Sequence, residues 1–191
     1  MPIVRKCALS LICLAFPLQA LADFTLLDAD FDDKIVGDPI GMGGADLGEP
    51  ISLDPILSAI VQNTPFATPA LELKYLDNLY AGAVVFEFVD GASVDVGNVT
   101  VSLDVVFDSV DSYYIMVREQ GGWGENFCDL FTDTGGSLHL LDQAGYVGIV
   151  GSYVEDQQYN FQFIFNTVTD IYEIRQNGTP LIEDRSHGIT D

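Results

Sequence analysis

Asp28-x-Asp30-x-Asp32-Asp33 gathers acids at alternate positions of one short segment. Calcium takes about six to eight hard oxygen ligands, and such a run can supply three of them. The spacing follows an EF-hand loop as far as Ile35. Asp33 then stands where the turn needs glycine, Pro39 where the loop needs its bidentate glutamate, and no flanking helix is predicted, so an EF-hand is excluded. Two readings remain open. One or two of the carboxylates of Asp28, Asp30 and Asp32 hold calcium together with backbone carbonyls, or all three share the solvent face of a first strand, where three like charges would repel one another.

The only tryptophan lies in a second candidate site, Gly121-Gly122-Trp123-Gly124-Glu125-Asn126. An exposed Trp123 could stack on a sugar ring while Glu125 and Asn126 hydrogen-bond its hydroxyls, the mixture of aromatic plate and placed polar groups found in loop-borne binding sites. The competing reading folds Trp123 back to cap the end of the protein. Tyr114, with Tyr113 and Tyr153, either extends the plate or consists of ordinary strand residues. His139 falls in an alternating strand pattern and His187 near the end of the chain. Neither has a Cys or His partner at metal-binding spacing, so zinc and a Ser-His-Asp triad are unsupported. Gly41-Met42-Gly43-Gly44 precedes no helix and is not a phosphate loop.

These residues must be positioned by strands. Short apolar-alternating runs recur from Leu71 onward between Gly, Asn and Asp punctuation: Leu71–Tyr75, Ala83–Val89, Val99–Phe107, Tyr113–Val117, Phe127–Thr132, Ser137–Leu141, Tyr146–Tyr153, Tyr159–Asn166 and Ile171–Gln176. Their spacing of roughly eight to twelve residues predicts an all-β, antiparallel two-sheet β-sandwich of jelly-roll type in one domain, residues 23–191. Tyr159, Phe161, Phe163 and Phe165 share one face of their strand and are predicted to fill the inter-sheet core, with Asn160, Gln162, Ile164 and Asn166 facing out. The one helix candidate is Asp54–Ile60, where Asp54 could cap a turn entered by Pro55. Asp38–Pro50, rich in glycine, reads as a loop or irregular crossover. Asn98-Val-Thr100 and Asn177-Gly-Thr179 match glycosylation sequons and read as strand and turn residues.

Residues 1–22 have the make-up of a secretory signal peptide: Arg5 and Lys6, an apolar stretch from Cys7 to Phe16, then Pro17 and small residues at Ala20 and Ala22. The apolar run falls short of the roughly 20 residues that span a bilayer. The expected product is soluble, and secreted or periplasmic. Cys7 and Cys13 would leave with the leader, and Cys128, in Phe127-Cys128-Asp129-Leu130-Phe131, is expected to be a buried small hydrophobe. The chain carries 7 basic against 29 acidic residues, a net charge of −22. Loss of Arg5 and Lys6 makes the balance more acidic still, so nucleic acid and anionic membrane surfaces are poor partners for such a field.

The closing pattern, Tyr159-x-Phe161-x-Phe163-x-Phe165, then Thr169-x-x-Tyr172-x-Ile174 and Asn177-Gly178-x-x-Leu181, resembles the C-terminal hairpin of the concanavalin-A-like, or laminin-G-like, lectin/glucanase superfamily. Asp30-Phe31-Asp32-Asp33 and Val36-Gly37-Asp38-Pro39 look like the first strand and following turn of its secreted bacterial members. The resemblance implies a jelly roll and a function in carbohydrate recognition. The related glucanases carry two close carboxylates in a Glu-x-Asp-x-(x)-Glu arrangement, as retaining hydrolysis requires. Glu87-Phe-Val-Asp90 and Glu183-Asp184 match neither its spacing nor its second glutamate. The expectation is therefore a secreted, non-catalytic module that binds a polysaccharide or cell-surface glycan, with calcium assisting. A structural or adhesive protein that pairs with a partner chain through an open sheet edge is the alternative, and a glycoside hydrolase or lyase stands third. The family's N-terminal strand usually pairs with a strand after the Asn-Gly hairpin. Residues 184–191 read instead as a loop leading into a missing last strand.

Overall fold

The structure, a computed structural model, describes residues 27, 29–44, 47–76, 82–87, 97–118 and 126–186. Residues 1–22, Asp28, Trp123, Glu125 and His187 lie outside the described residues, as does the end of the Ala83–Val89 run. Twelve strands follow one another: β1 (Ser52–Leu53), β2 (Leu57–Gln62), β3 (Ala70–Tyr75), β4 (Val84–Val85), β5 (Asn98–Val106), β6 (Tyr114–Arg118), β7 (Asn126–Thr132), β8 (Ser137–Asp142), β9 (Gly145–Ser152), β10 (Gln158–Asn166), β11 (Ile171–Gln176) and β12 (Thr179–Ser186). They form four antiparallel sheets, β1-β4, β2-β3, β12-β11-β10-β5 and β6-β7-β8-β9. Among the described residues, no helix is long and apolar enough to cross a membrane.

The two four-stranded sheets turn their apolar faces onto one core, giving a β-sandwich-like architecture. Tyr159, Phe161, Phe163 and Phe165 from β10 and Tyr172 and Ile174 from β11 meet Cys128, Leu130, Leu138 and Leu140 from β7 and β8. Period-2 alternation dictates this: one face of β10 is buried residue by residue while the other stays half-exposed. β10 pairs along its full length with β5 and on its far side with β11, and β11 turns into β12 through Asn177-Gly178. Asn177 and Gly178 both adopt positive φ (52° and 76°), as a two-residue hairpin turn of this hand requires. Cys128 is buried, as expected, and burial raises its thiol pKa.

Three expectations need correction. Asp54–Ile60 is not helical. Asp54 does cap one turn, its Oδ1 accepting the Ile56 amide at 3.1 Å, but the chain then extends into β2. There Leu57, Ala59 and Val61 are buried at alternate positions. Ala59 and Val61 pack with Ile40 in a second, smaller core, and Pro39 bridges to Ile60. Asp30–Asp33 is a turn rather than a first strand: Phe31 has a φ of 59° and its carbonyl accepts the Lys34 amide. Residues 184–186 are not a loop but the end of β12, which pairs with β11 through Tyr172↔Arg185 and Ile171↔Ser186.

Candidate binding face

The outer face of the β6–β9 sheet carries the most unusual surface among the described residues. The registers Tyr114↔Phe131, Phe131↔His139 and His139↔Ile149 place these four residues in one row across the sheet. The next row on the same face runs Met116, Asp129, Leu141, Tyr146. Tyr114, Tyr146 and Ile149 are 57 %, 60 % and 65 % exposed. Apolar exposure clustered in this way makes the face a candidate interaction surface.

The rings stand upright. Tyr114 stacks on Phe131 (centroids 5.4 Å apart, planes 16° apart), and Phe131 on His139 (5.0 Å, 12°). The spacing is close to that between strands, so register alone sets the stack. Tyr146 leans in from β9 at 31° to His139. Because β6 is an edge strand, the second face of the Tyr114 ring has no further ring beside it in the row among the described residues.

His139 anchors the row. Its Nε2 lies 2.8 Å from Asp133 Oδ2 and its Nδ1 2.7 Å from the Tyr146 hydroxyl. Asp133 opens the β7–β8 turn, and its Oδ1 accepts the amides of Gly135 and Ser137 at 2.8 and 2.9 Å. The His139 contact, reinforced by those amides, holds the Asp133 carboxyl down to about 2. An unfolded aspartate titrates near ~3.9, so this carboxylate's contribution to stability is complete above about pH 4 and is lost as pH falls towards about 2. Urea melts at pH 5 and pH 2 should therefore show wild type losing its advantage over Asp133→Asn across that window. A constant gap between the two proteins would exclude the linkage.

Of the sequence-predicted residues, Tyr114 lies on this face. Tyr113 and Tyr153 do not extend it. Both pack against Phe107 (5.0 and 4.7 Å between centroids) at the end of the sandwich. The Tyr153 hydroxyl donates to the Asp111 carbonyl, and burial pushes the Tyr113 phenol up to about 12. Asn126 begins β7 opposite Arg118. Tyr114 is four positions from Arg118 along β6, about 13 Å, so the backbone does not bring Tyr114 and Asn126 together. Asp30 and Asp32 do not share a strand face, since Asp30 Oδ1 accepts the Asp32 amide at 3.0 Å. Nearby, Lys34 Nζ pairs with Asp33 and Glu49. Among the described residues, no three His, Cys, Asp or Glu side chains converge to hold a metal.

The grouping of Phe131, His139, Tyr146 and Asp133 escapes the sequence reading because they become neighbours only through hairpin registers. Two turn signals could have exposed them. Asp133-Thr-Gly-Gly136 and Asp142-Gln-Ala-Gly145 bracket β8 and set His139 opposite Phe131 on one side and Ile149 on the other. No family model, curated protein or solved structure matches this chain, which leaves the geometry of the face as the ground for its function.

Proposed function

We propose that this chain is a secreted or periplasmic, non-catalytic jelly-roll module of concanavalin-A-like type that binds carbohydrate through the outer face of its β6–β9 sheet. The observation that carries the reading is the exposed ring row, Tyr114-Phe131-His139 with Tyr146 beside it. Aromatic faces and edges offer apolar contact to the C–H faces of sugar rings, and the Asp133 carboxylate and Tyr146 hydroxyl give a polar rim for their hydroxyls. Trp123, Glu125 and Asn126 belong to the same reading as a second carbohydrate contact, and calcium at Asp28, Asp30 and Asp32 as an accessory.

Titration of the protein with soluble neutral glucans, followed by calorimetry, tests it. Tyr114→Ala should weaken binding about tenfold, the worth of one aromatic contact. Failure of every glycan to bind at millimolar concentration would sink the reading. Repeating the titration with EDTA decides the calcium accessory, because unchanged affinity removes it. Pairing of a partner chain along the last strand is the weaker alternative. β12 carries Pro180, two register shifts against β11 and the charges of Glu183, Asp184 and Arg185, all features that discourage strand addition.

A further inference from the structure

The Asp133–His139–Tyr146 chain dictates the direction of its own hydrogen bonds. An ionised carboxylate only accepts, so in the 2.8 Å contact Nε2 of His139 is the donor. In the neutral imidazole, Nδ1 then carries a lone pair. The 2.7 Å contact to it is filled by the phenol proton of Tyr146. Tyr146 thus commits its one O–H inward, and on an exposed residue its oxygen presents only lone pairs outward. The rim beside it has the same polarity, because the Asp133 side chain is 42 % exposed and is an acceptor throughout. The two acceptors flank one imidazole. Their separation is no more than two hydrogen bonds and the width of that ring, a span that a single pyranose covers.

We propose that this relay makes the face selective for neutral, hydroxyl-rich sugars, which donate their hydroxyls to Tyr146 Oη and the Asp133 carboxylate while lying against the rings. The inference rests on the carbohydrate-binding reading above and names its ligand class. His139 acts as a positioning residue: it fixes which way the Tyr146 hydroxyl points. Uronic and sulfated sugars are rejected because an ionised, part-exposed carboxylate lies in the rim of a protein with a net charge of −22. A sugar whose hydroxyls are replaced by acceptor-only groups such as methyl ethers finds no donor at these two atoms.

Two measurements on the full chain decide the matter. The first needs no ligand. The ring-nitrogen NMR shifts of His139, assigned by comparison with His139→Gln, should report the Nε2–H form at a pH where the ring is neutral. Tyr146→Phe should move Nδ1 towards the shift of an unbonded lone pair while leaving Nε2–H in place. An Nδ1–H form, or an Nδ1 shift unmoved by Tyr146→Phe, overturns the relay whatever the sugar result. The second compares cellohexaose with an oligogalacturonate of equal length. Wild type should prefer the neutral probe, Tyr146→Phe should bind it about tenfold more weakly, and Asp133→Asn should narrow the preference at least about fivefold. Equal binding of both probes, or an unchanged Tyr146→Phe, overturns this inference alone. Binding of neither probe overturns the carbohydrate reading with it.

Discussion

Asp142→Ala should cost about 3–5 kcal/mol of unfolding free energy, the usual consequence of removing one partner from a buried charged cluster. Asp142 ends β8 and its side chain is fully buried. One oxygen accepts the Tyr172 hydroxyl at 3.0 Å and the Arg185 Nε, and the other accepts the Ala144 amide at 2.9 Å. A single carboxylate therefore ties the β8–β9 turn to β11 and β12 across the sandwich. Burial, with Asp142 as partner, raises the Tyr172 phenol pKa, and the Asp142 contact raises that of the Arg185 guanidinium. Removing the carboxylate leaves a buried hydroxyl and a half-buried cation without their acceptor. The melting temperature should fall by roughly 10 °C or more, measured by circular dichroism. A fall of no more than about 2 °C would mean that the cluster contributes little. Arg185→Met should cost less, since the arginine is partly solvated and Asp142 keeps two donors.

Phe163→Ala should be comparably severe. Phe163 is completely buried at the middle of β10, opposite Val101 on β5 and Ile174 on β11. Large-to-small changes at such sites cost about 3–5 kcal/mol through lost transfer energy and an incompletely collapsed cavity. The neighbouring change Gln162→Ala, on the opposite face of the same strand, should stay within about 0.5 kcal/mol. Denaturant titration of the two variants checks the contrast. Similar midpoints would mean that the β10 register is wrong by one residue, because a one-residue slip exchanges the two faces.

The parts of this protein that were legible in its sequence are those where one periodicity acts without competition. β10 and β11 show it, since alternate aromatics specify the buried face of β10 and Asn177-Gly178 specifies the turn that ends β11. β2 was hidden because Leu57-Ser-Ala-Ile-Val-Gln62 has no polar residue strong enough to mark its outer face, and Asp54-Pro55 mimics a helix start. Packing against Ile40 settles its conformation, and that contact is not local. β12 was hidden for the opposite reason. Pro180, Glu183 and Asp184 are poor strand formers, but an edge strand tolerates them and Arg185 is tied down by Asp142. The candidate face shows the same limit at the level of chemistry. Tyr114 and His139 were visible singly, yet a row of rings exists only once three hairpin registers are known.

The two four-stranded sheets differ in how their strands meet. β6, β7, β8 and β9 pair in chain order, each with its immediate successor. β5 has no partner among the described residues until β10 returns, after everything from Phe107 to Gln157 has been laid down. Hairpins between neighbours close quickly, whereas a pairing across that length must first meet its loop-closure entropy. The β6–β9 meander is therefore the natural early unit, and β5 waits beside it as a nine-residue strand with an unsatisfied edge. In a chain made or exported from its N-terminus, that interval lasts until residue 166 is free. Slowing the delivery of β10 should lengthen the time during which β5 can pair with the wrong chain.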